Sequence, residues 1–241
     1  MGTERISRRG FLGKAGRTGA ALAAVTSLGG TRHVLGANDK IVLGLIGCGG
    51  RGTQLMRLTL QNDPNVTVAG VCDVYQRRRL NAKELAQSEP RDFADHRKLL
   101  EMKDIDAVII ATPDHMHCPQ THAAIDAGKD VYVEKPLTYS IEEGVRLIQA
   151  VRASGRIVQV GMQRRSAPMC IEAKKLVDQG VLGDVTLVRA QWYWNVPPLG
   201  KIEKIDGEFN WEVFLGNAPK RPFDPNRAMQ WNWYWDYSGG M

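Results

Sequence analysis

Apolar residues gather in short runs, with longer polar stretches of helical length between them. Runs at 41–46, 65–72, 106–111, 130–133 and 156–160 have the length and the Val/Ile content of buried strands. The intervening segments predict helices over 54–60, 79–88, 96–101, 118–127 and 141–153. Their ends carry matching signals: Pro90 and Gly128 close two of them, Gly155 closes the last, and Ser140 with Glu143 reads as a capping box. Strands that alternate with helices predict a parallel, doubly wound α/β sheet with right-handed crossovers. In such a sheet the carboxyl ends of the strands share one edge, and ligands bind there. The polar clusters at 47–52, 73, 112–117, 134–136 and 161–165 each follow a strand, so five separated segments converge on one crevice.

The first of these clusters carries the plainest chemistry. Gly47-Cys48-Gly49-Gly50-Arg51-Gly52 has G-x-G-x-x-G spacing, follows a strand and opens a helix, which is the context a dinucleotide fingerprint needs. The glycines allow a sharp turn, backbone access to a pyrophosphate and close helix–strand packing, while the helix start offers free N–H groups. Asp73 ends the second strand 21 residues beyond Gly52, where such a fold places the acid that binds the adenosine ribose. An acid there favours NAD. Arg77, Arg78 and Arg79 follow, and one of them would suit the 2′-phosphate of NADP, so NAD is preferred with NADP open; a solvated helix face is the plainer reading of most of that run. Lys135, between Glu134 and Pro136, is delivered to the crevice by a strand end and can hold a substrate oxygen or exchange a proton. His115 and His117 read as acid/base groups or, more simply, as loop residues beside the cofactor or the helix start. No residues have metal-ligand spacing.

Beyond residue 163 the pattern changes. A helix is expected over 168–179, then one long alternating strand over 184–194, which suits an open antiparallel sheet. All six tryptophans lie at 192 or later, and the crowded stretch 231–237 is either the lining of a sugar-sized pocket or a packed core.

Charge changes the picture only at the amino terminus. The net charge is +6, of which +5 falls within residues 1–37; the remaining body is nearly neutral, which argues against nucleic acid as a partner. Arg8-Arg9 precede an uncharged stretch from 18 to 31 that is too short to span a membrane, so residues 1–37 read as a twin-arginine export signal and predict a periplasmic protein. Cys48, Cys72, Cys118 and Cys170 are scattered and read as small buried residues.

Taken together, Gly47-x-Gly49-x-x-Gly52, Thr112-Pro113-Asp-His115, Glu134-Lys135-Pro136 and Gly161-Met-Gln163-Arg164 resemble the Gfo/Idh/MocA oxidoreductase family from about residue 39 onward. The resemblance implies a Rossmann dinucleotide-binding domain over 38–163. Residues 164–241 would then be part of a C-terminal α+β domain that carries substrate and oligomer contacts on a mainly antiparallel sheet. It implies that Gly47, Gly49, Gly50, Arg51, Gly52, Asp73, Thr112, Pro113, His115, Glu134, Lys135, Gln163 and Arg164 border the cofactor, with Lys135 also on the substrate. The activity implied is hydride transfer between a sugar or polyol and NAD or NADP. Two alternatives remain: an NAD-dependent glycosidase of the same fold, and a non-catalytic nucleotide-binding protein. The family's Asp-x-Gly-x-His-like acid/base segment is not found before Met241, so the chain reads as an incomplete copy of a longer protein, expected to bind dinucleotide weakly and to turn over nothing.

Overall fold

The computed structural model of the 241-residue chain describes residues 40–191 and 200–239; the leader reading and the end of the expected long strand, residues 192–194, lie outside them. Six parallel strands form one sheet: β1 (Ile41–Ile46), β2 (Val66–Cys72), β3 (Arg91–Phe93), β4 (Ala107–Ile110), β5 (Asp130–Glu134) and β6 (Val158–Gly161). Their order is β3-β2-β1-β4-β5-β6, so the connection reverses direction between β1 and β4. That is the switch point at which a doubly wound sheet opens a ligand crevice. The connecting helices are α1 (Gly50–Asn62), α2 (Gln76–Leu85), α3 (His96–Leu100), α4 (Asp114–Asp126) and α5 (Ile141–Ser154).

The sequence expectation of five strands missed β3. This strand is three residues long, Arg-Asp-Phe, and has no apolar run to announce it. It is an edge strand, paired only with β2, so its side chains need not be buried on both faces. Helix boundaries otherwise agree to within a few residues, and the Ser140 capping box is present: the Ser140 hydroxyl accepts from the Glu143 N–H. The Glu143 carboxylate in turn accepts from the Tyr139 N–H.

Each face of the sheet buries its own core. On one side Leu43, Leu45 and Val68 pack against Met56 of α1 and Ala82 of α2. On the other, Ile46, Val108, Val131 and Val133 pack with Leu99, Ile125 and Leu147. Leu99 is fully buried. Its methyl groups fill the space left above two neighbouring strands by Gly44 and Gly70, where a Cβ would come within 2.8 and 3.2 Å of it.

After β6 the described residues form two short 3-10 turns (Gln163–Ser166 and Trp231–Trp233) and three helices: α6 (Pro168–Asp178), α7 (Trp211–Leu215) and α8 (Pro225–Met229). The strand expected over 184–194 is absent from its described part: residues 184–191 are irregular, exposed and in no strand. No strand follows β6 among the described residues, so the backbone there has no ladder to join. Cys170, on α6, is exposed, against the expectation of burial; Cys48, Cys72 and Cys118 are buried and all four are free.

Residues 200–239 return to the carboxyl edge of the sheet and dock there. The Asn210 N–H donates to Val74 O at 2.8 Å, and the Gln76 N–H to Glu208 O at 2.9 Å. Phe214, Leu215 and Tyr237 form a third small core with Phe209, Trp211 and Trp231. The aromatic stretch 231–237 therefore divides: Tyr237 is fully buried in that core, whereas Trp235 is exposed.

Truncating Leu99 to Ala removes the side chain that fills both strand glycines. The expected loss is about 2–5 kcal/mol of unfolding free energy, read by urea denaturation.

Candidate active site

The site begins with a turn that only glycine can make. Gly47 leaves β1 with φ +92°, and a Cβ on it would lie 2.5 Å from Ala111 O. A Cβ on Gly52 would meet Gly47 O at 1.8 Å, so the first turn of α1 lies directly against the strand exit. Above Gly50, by contrast, there is open space. Helix α1 has no side-chain cap, and its first ladder bond is made by Thr53 to Gly49 O. The N–H groups ahead of Thr53 are therefore available to an anion, and the helix dipole favours one.

Asp73 stands beside this turn. Its Oδ2 accepts from the Cys48 N–H at 2.8 Å and its Oδ1 from the Tyr75 N–H at 2.9 Å. Burial pushes its carboxyl above the usual carboxylate range; Arg78 and then the two amides pull it back. The carboxylate thus fixes the turn as well as lining the crevice. The arginine run separates by role. Arg79 is buried, with Nη1 donating to Asp73 O at 2.9 Å and its guanidinium paired with Asp92. Arg77 is exposed, and Arg78 reaches over Gly49 into the crevice.

A cavity of about 180 Å³ lies along this edge. Gly47, Gly49, Gly50, Arg51, Asp73, Thr112 and Pro113 all line it, as do Arg78 and Gln120. Gln120 accepts from the Thr112 hydroxyl at 2.7 Å. Gly52 lies beneath the lining as the packing residue of the turn. Glu134 is buried at the end of β5 and accepts from Arg51 Nε at 2.6 Å, which ties the start of α1 to the β5 exit. The next residue, Lys135, is exposed at the same edge, in a cis peptide bond to Pro136. Gln163 and Arg164 are exposed on the 3-10 turn after β6, one strand further along, and do not line the cavity.

The two histidines are placed differently from each other. His115 starts α4 and is buried, with its ring turned toward residues 200–239 rather than the cavity. Its N–H donates to Tyr237 O at 3.1 Å, and Nε2 lies 2.9 Å from Phe214 O. Burial holds its basicity below the ordinary value for histidine. It clamps the docked segment. His117 is also buried; Nε2 lies 2.8 Å from Thr112 O and Nδ1 2.7 Å from Pro136 O. It holds the β4 exit to the turn that carries Lys135, a role in positioning rather than in acid/base chemistry.

Sequence reasoning missed Ala94 and His96 on the sheet side of the cavity, and the opposite wall formed by Phe209, Val213, Phe214 and Trp231. Ala94 and His96 follow the unnoticed β3. The others lie on or beside the short helix α7 and the turn at Trp231, more than a hundred residues beyond the glycine turn, and no periodicity links them to it.

The residues present fit a dinucleotide. The glycine turn would hold a pyrophosphate, Asp73 a ribose, and the open rim toward Glu134 and Lys135 the reactive ring. These features define a dinucleotide-binding domain. Residues 41–162 match the model of the Gfo/Idh/MocA oxidoreductase family, described as an NAD-binding Rossmann fold, and the chain belongs to that family. It is 31% identical to an inositol 2-dehydrogenase of Salmonella typhimurium over 151 residues, 62% of this chain and 45% of that protein. Among solved structures, myo-inositol 2-dehydrogenase from Lactobacillus plantarum superposes with a TM-score of 0.57 at 26% identity, covering 61% of this chain and 43% of that one. The WlbA dehydrogenase from Bordetella pertussis, in complex with NADH and UDP-GlcNAcA, gives 0.56 at 28% identity, covering 61% and 42%. The chain spans a little under half the length of the relatives it matches.

The glycines separate packing from binding. Gly52→Ala is expected to lose about 1–3 kcal/mol or more of stability through its clash with Gly47 O. Gly50→Ala should leave stability within about 1 kcal/mol of the parent. Paired denaturation curves check both.

Proposed function

We propose that the protein is an NAD(P)-dependent oxidoreductase that moves a hydride to or from a hydroxyl-bearing carbon of a sugar or polyol. The observation that carries this reading is the ion pair from Arg51 in the glycine turn to Glu134, which brings the Lys135 turn to the rim of the nucleotide crevice. When bound, the dinucleotide supplies the hydride-accepting carbon of its nicotinamide ring; the chain supplies orientation and charge. The Lys135 ammonium is free to meet a substrate oxygen, and its charge stabilises negative charge that develops there. Glu134, held by Arg51, fixes the strand exit from which Lys135 projects. His117 fixes the same turn from beneath through Pro136 O. His115, Gln163 and Arg164 belong to the same reading: His115 as a brace behind the crevice, the other two on the nicotinamide side of the rim.

NAD is the preferred cofactor because the Asp73 carboxylate lies where a 2′-phosphate would be repelled, while Arg78 is placed to receive one when NADP binds. A cyclitol or sugar substrate is supported by the inositol dehydrogenases among the relatives. Residues 164–241 form the near part of a substrate and oligomerisation domain in this proposal, and residues 1–37 direct export to the periplasm by the twin-arginine route.

Two outcomes test the reading. In the full-length protein, Lys135→Ala is expected to lower kcat/KM for inositol or sugar oxidation about 100- to 10,000-fold, while the Kd for NADH stays within a few-fold. NADH formation is the assay, and an unchanged kcat/KM would refute the role. Asp73→Ala is expected to cut the preference for NADH over NADPH at least tenfold, about 1.4 kcal/mol, in fluorescence titrations. The same change should destabilise the chain by about 1–3 kcal/mol, because two buried N–H groups lose their acceptor.

A further inference from the structure

The start of α4 grips the docked segment at two places. The His115 N–H donates to Tyr237 O at 3.1 Å, and its ring Nε2 lies 2.9 Å from Phe214 O. The ring packs edge-on to Phe214 and tilted to Tyr237, with centroids 5.8 and 5.2 Å away. One residue earlier, the Asp114 carboxylate accepts from the Ser238 hydroxyl at 2.8 Å. One residue later, Met116 lies so close to the exit of α7 that a Cβ on Gly216 would have no room. The start of α4 therefore holds both the end of α7 and the turn at Tyr237. Ties from Val74, Tyr75 and Gln76 reach the near end of the segment, at 206–210.

The chemistry of the His115 ring makes this grip conditional. A backbone carbonyl can only accept, so the bond to Phe214 O fixes the Nε2–H tautomer and leaves Nδ1 without a proton. Nδ1 is buried and has no hydrogen-bond partner among the described residues. A proton added there places a cation in the small core of Phe214, Leu215 and Tyr237. The charged groups around it do not compensate. On its own helix Asp114 favours the cation, and His117 opposes it. Across the contact, Asp236 is engaged by both Arg221 and Arg227, and Arg227 also lies 6.0 Å from the centre of the Tyr237 ring. The Tyr237 phenol is held above its ordinary pKa by burial and stays neutral. The acid of α7, Glu212, is exposed and paired with Lys220. Burial outweighs the help of Asp114 and of the Phe214 and Tyr237 carbonyls, and the ring is a weaker base in place than in an open chain.

We propose that His115 is an acid-sensitive latch: once its ring is protonated, the end of α7 and the turn at Tyr237 let go of α4, and the crevice wall that carries Val213, Phe214 and Trp231 opens. Histidine in an open chain titrates at about pH 6.5. The docked ring takes up a proton less readily than the released one, so docking is at full strength above that pH and is lost progressively as the pH falls below it. The latch is a property of the contact; only its consequence for binding rests on the dinucleotide reading above.

The sequence supplies the reporter. Trp211, Trp231, Trp233 and Trp235 belong to the docked segment, and the sheet with its helices carries no tryptophan. The complete chain is compared with His115→Gln at about pH 7.5 and about pH 5.5. Acid is expected to shift the tryptophan emission of the unmodified chain to the red. It should also speed hydrogen exchange over 208–238 at least about fivefold relative to β1 and β4, after correction for the intrinsic rate. His115→Gln, which keeps a donor for Phe214 O and cannot charge, is expected to stay docked at both values. Asp73 and His96 also line the crevice and are intact in this variant, so an acid response that persists in it overturns the proposal. So does a pH-independent emission and exchange pattern in the unmodified chain. Ring NMR of the unmodified protein decides the case in which the variant does not fold: His115 must take up its proton in step with exposure of 208–238, and a protonated ring beneath a protected segment overturns the latch. ADP-ribose binding is expected to weaken in step with release. Failure of the unmodified chain to bind ADP-ribose at about pH 7.5 would refute the dinucleotide reading instead, and the emission and exchange data would still decide the latch.

Discussion

The parallel register holds the strand exits level, and everything at the site depends on it. Ile46 pairs with Cys72 on one side and with Ile110 on the other, Ile110 with Val133, and Glu134 with Gly161. The residues that follow, Gly47, Asp73, Ala111 and Lys135, therefore emerge along one line although they are up to 88 positions apart in the chain. A slip of one residue in any strand would move its side chains from one packed face to the other, so the fitted cores on both faces of the sheet enforce the alignment. Packing energy in the two cores is in this sense what places the chemistry.

Backbone register sets the line only to the width of a strand, and polar ties bring the loops to hydrogen-bonding range. Asp73 joins β2 to the glycine turn through the Cys48 N–H. Arg51 joins that turn to the β5 exit through Glu134, which is 5% exposed, so the pair is screened less than a surface bridge. His117 joins the β4 exit to the Lys135 turn. Each tie uses a side chain that would be expensive to bury alone. The cost is offset because each partner is itself a group that the crevice needs in a fixed place.

The sheet and its ligand edge were legible in the sequence because Val- and Ile-rich runs separated by helix-length segments admit few topologies. The glycine turn, Asp73 and Lys135 were legible because each directly follows such a run. What could not be read has physical causes. β3 is three residues long and polar, with no periodicity to detect. His115 and His117 sit two positions apart on one helix, so sequence alone could not tell which ring faces the docked segment and which the β4 and β5 loops. The wall made by Phe209, Val213, Phe214 and Trp231 arises from a segment with only one-turn helices, whose position is set by tertiary hydrogen bonds to Val74, Gln76 and His115. The long strand expected from alternation over 184–194 shows the opposite error: alternation describes a strand only where a partner ladder exists, and residues 184–191 have none.

The central claim is that loops from separate strands surround one bound nucleotide along a single rim. A crystal structure of the protein with NADH tests it most directly. The account predicts the pyrophosphate on the N–H groups of Gly50 and Arg51, a ribose on Asp73, and the nicotinamide end toward Glu134 and Lys135. A nucleotide bound elsewhere, or one whose nicotinamide points away from the Lys135 turn, would contradict it.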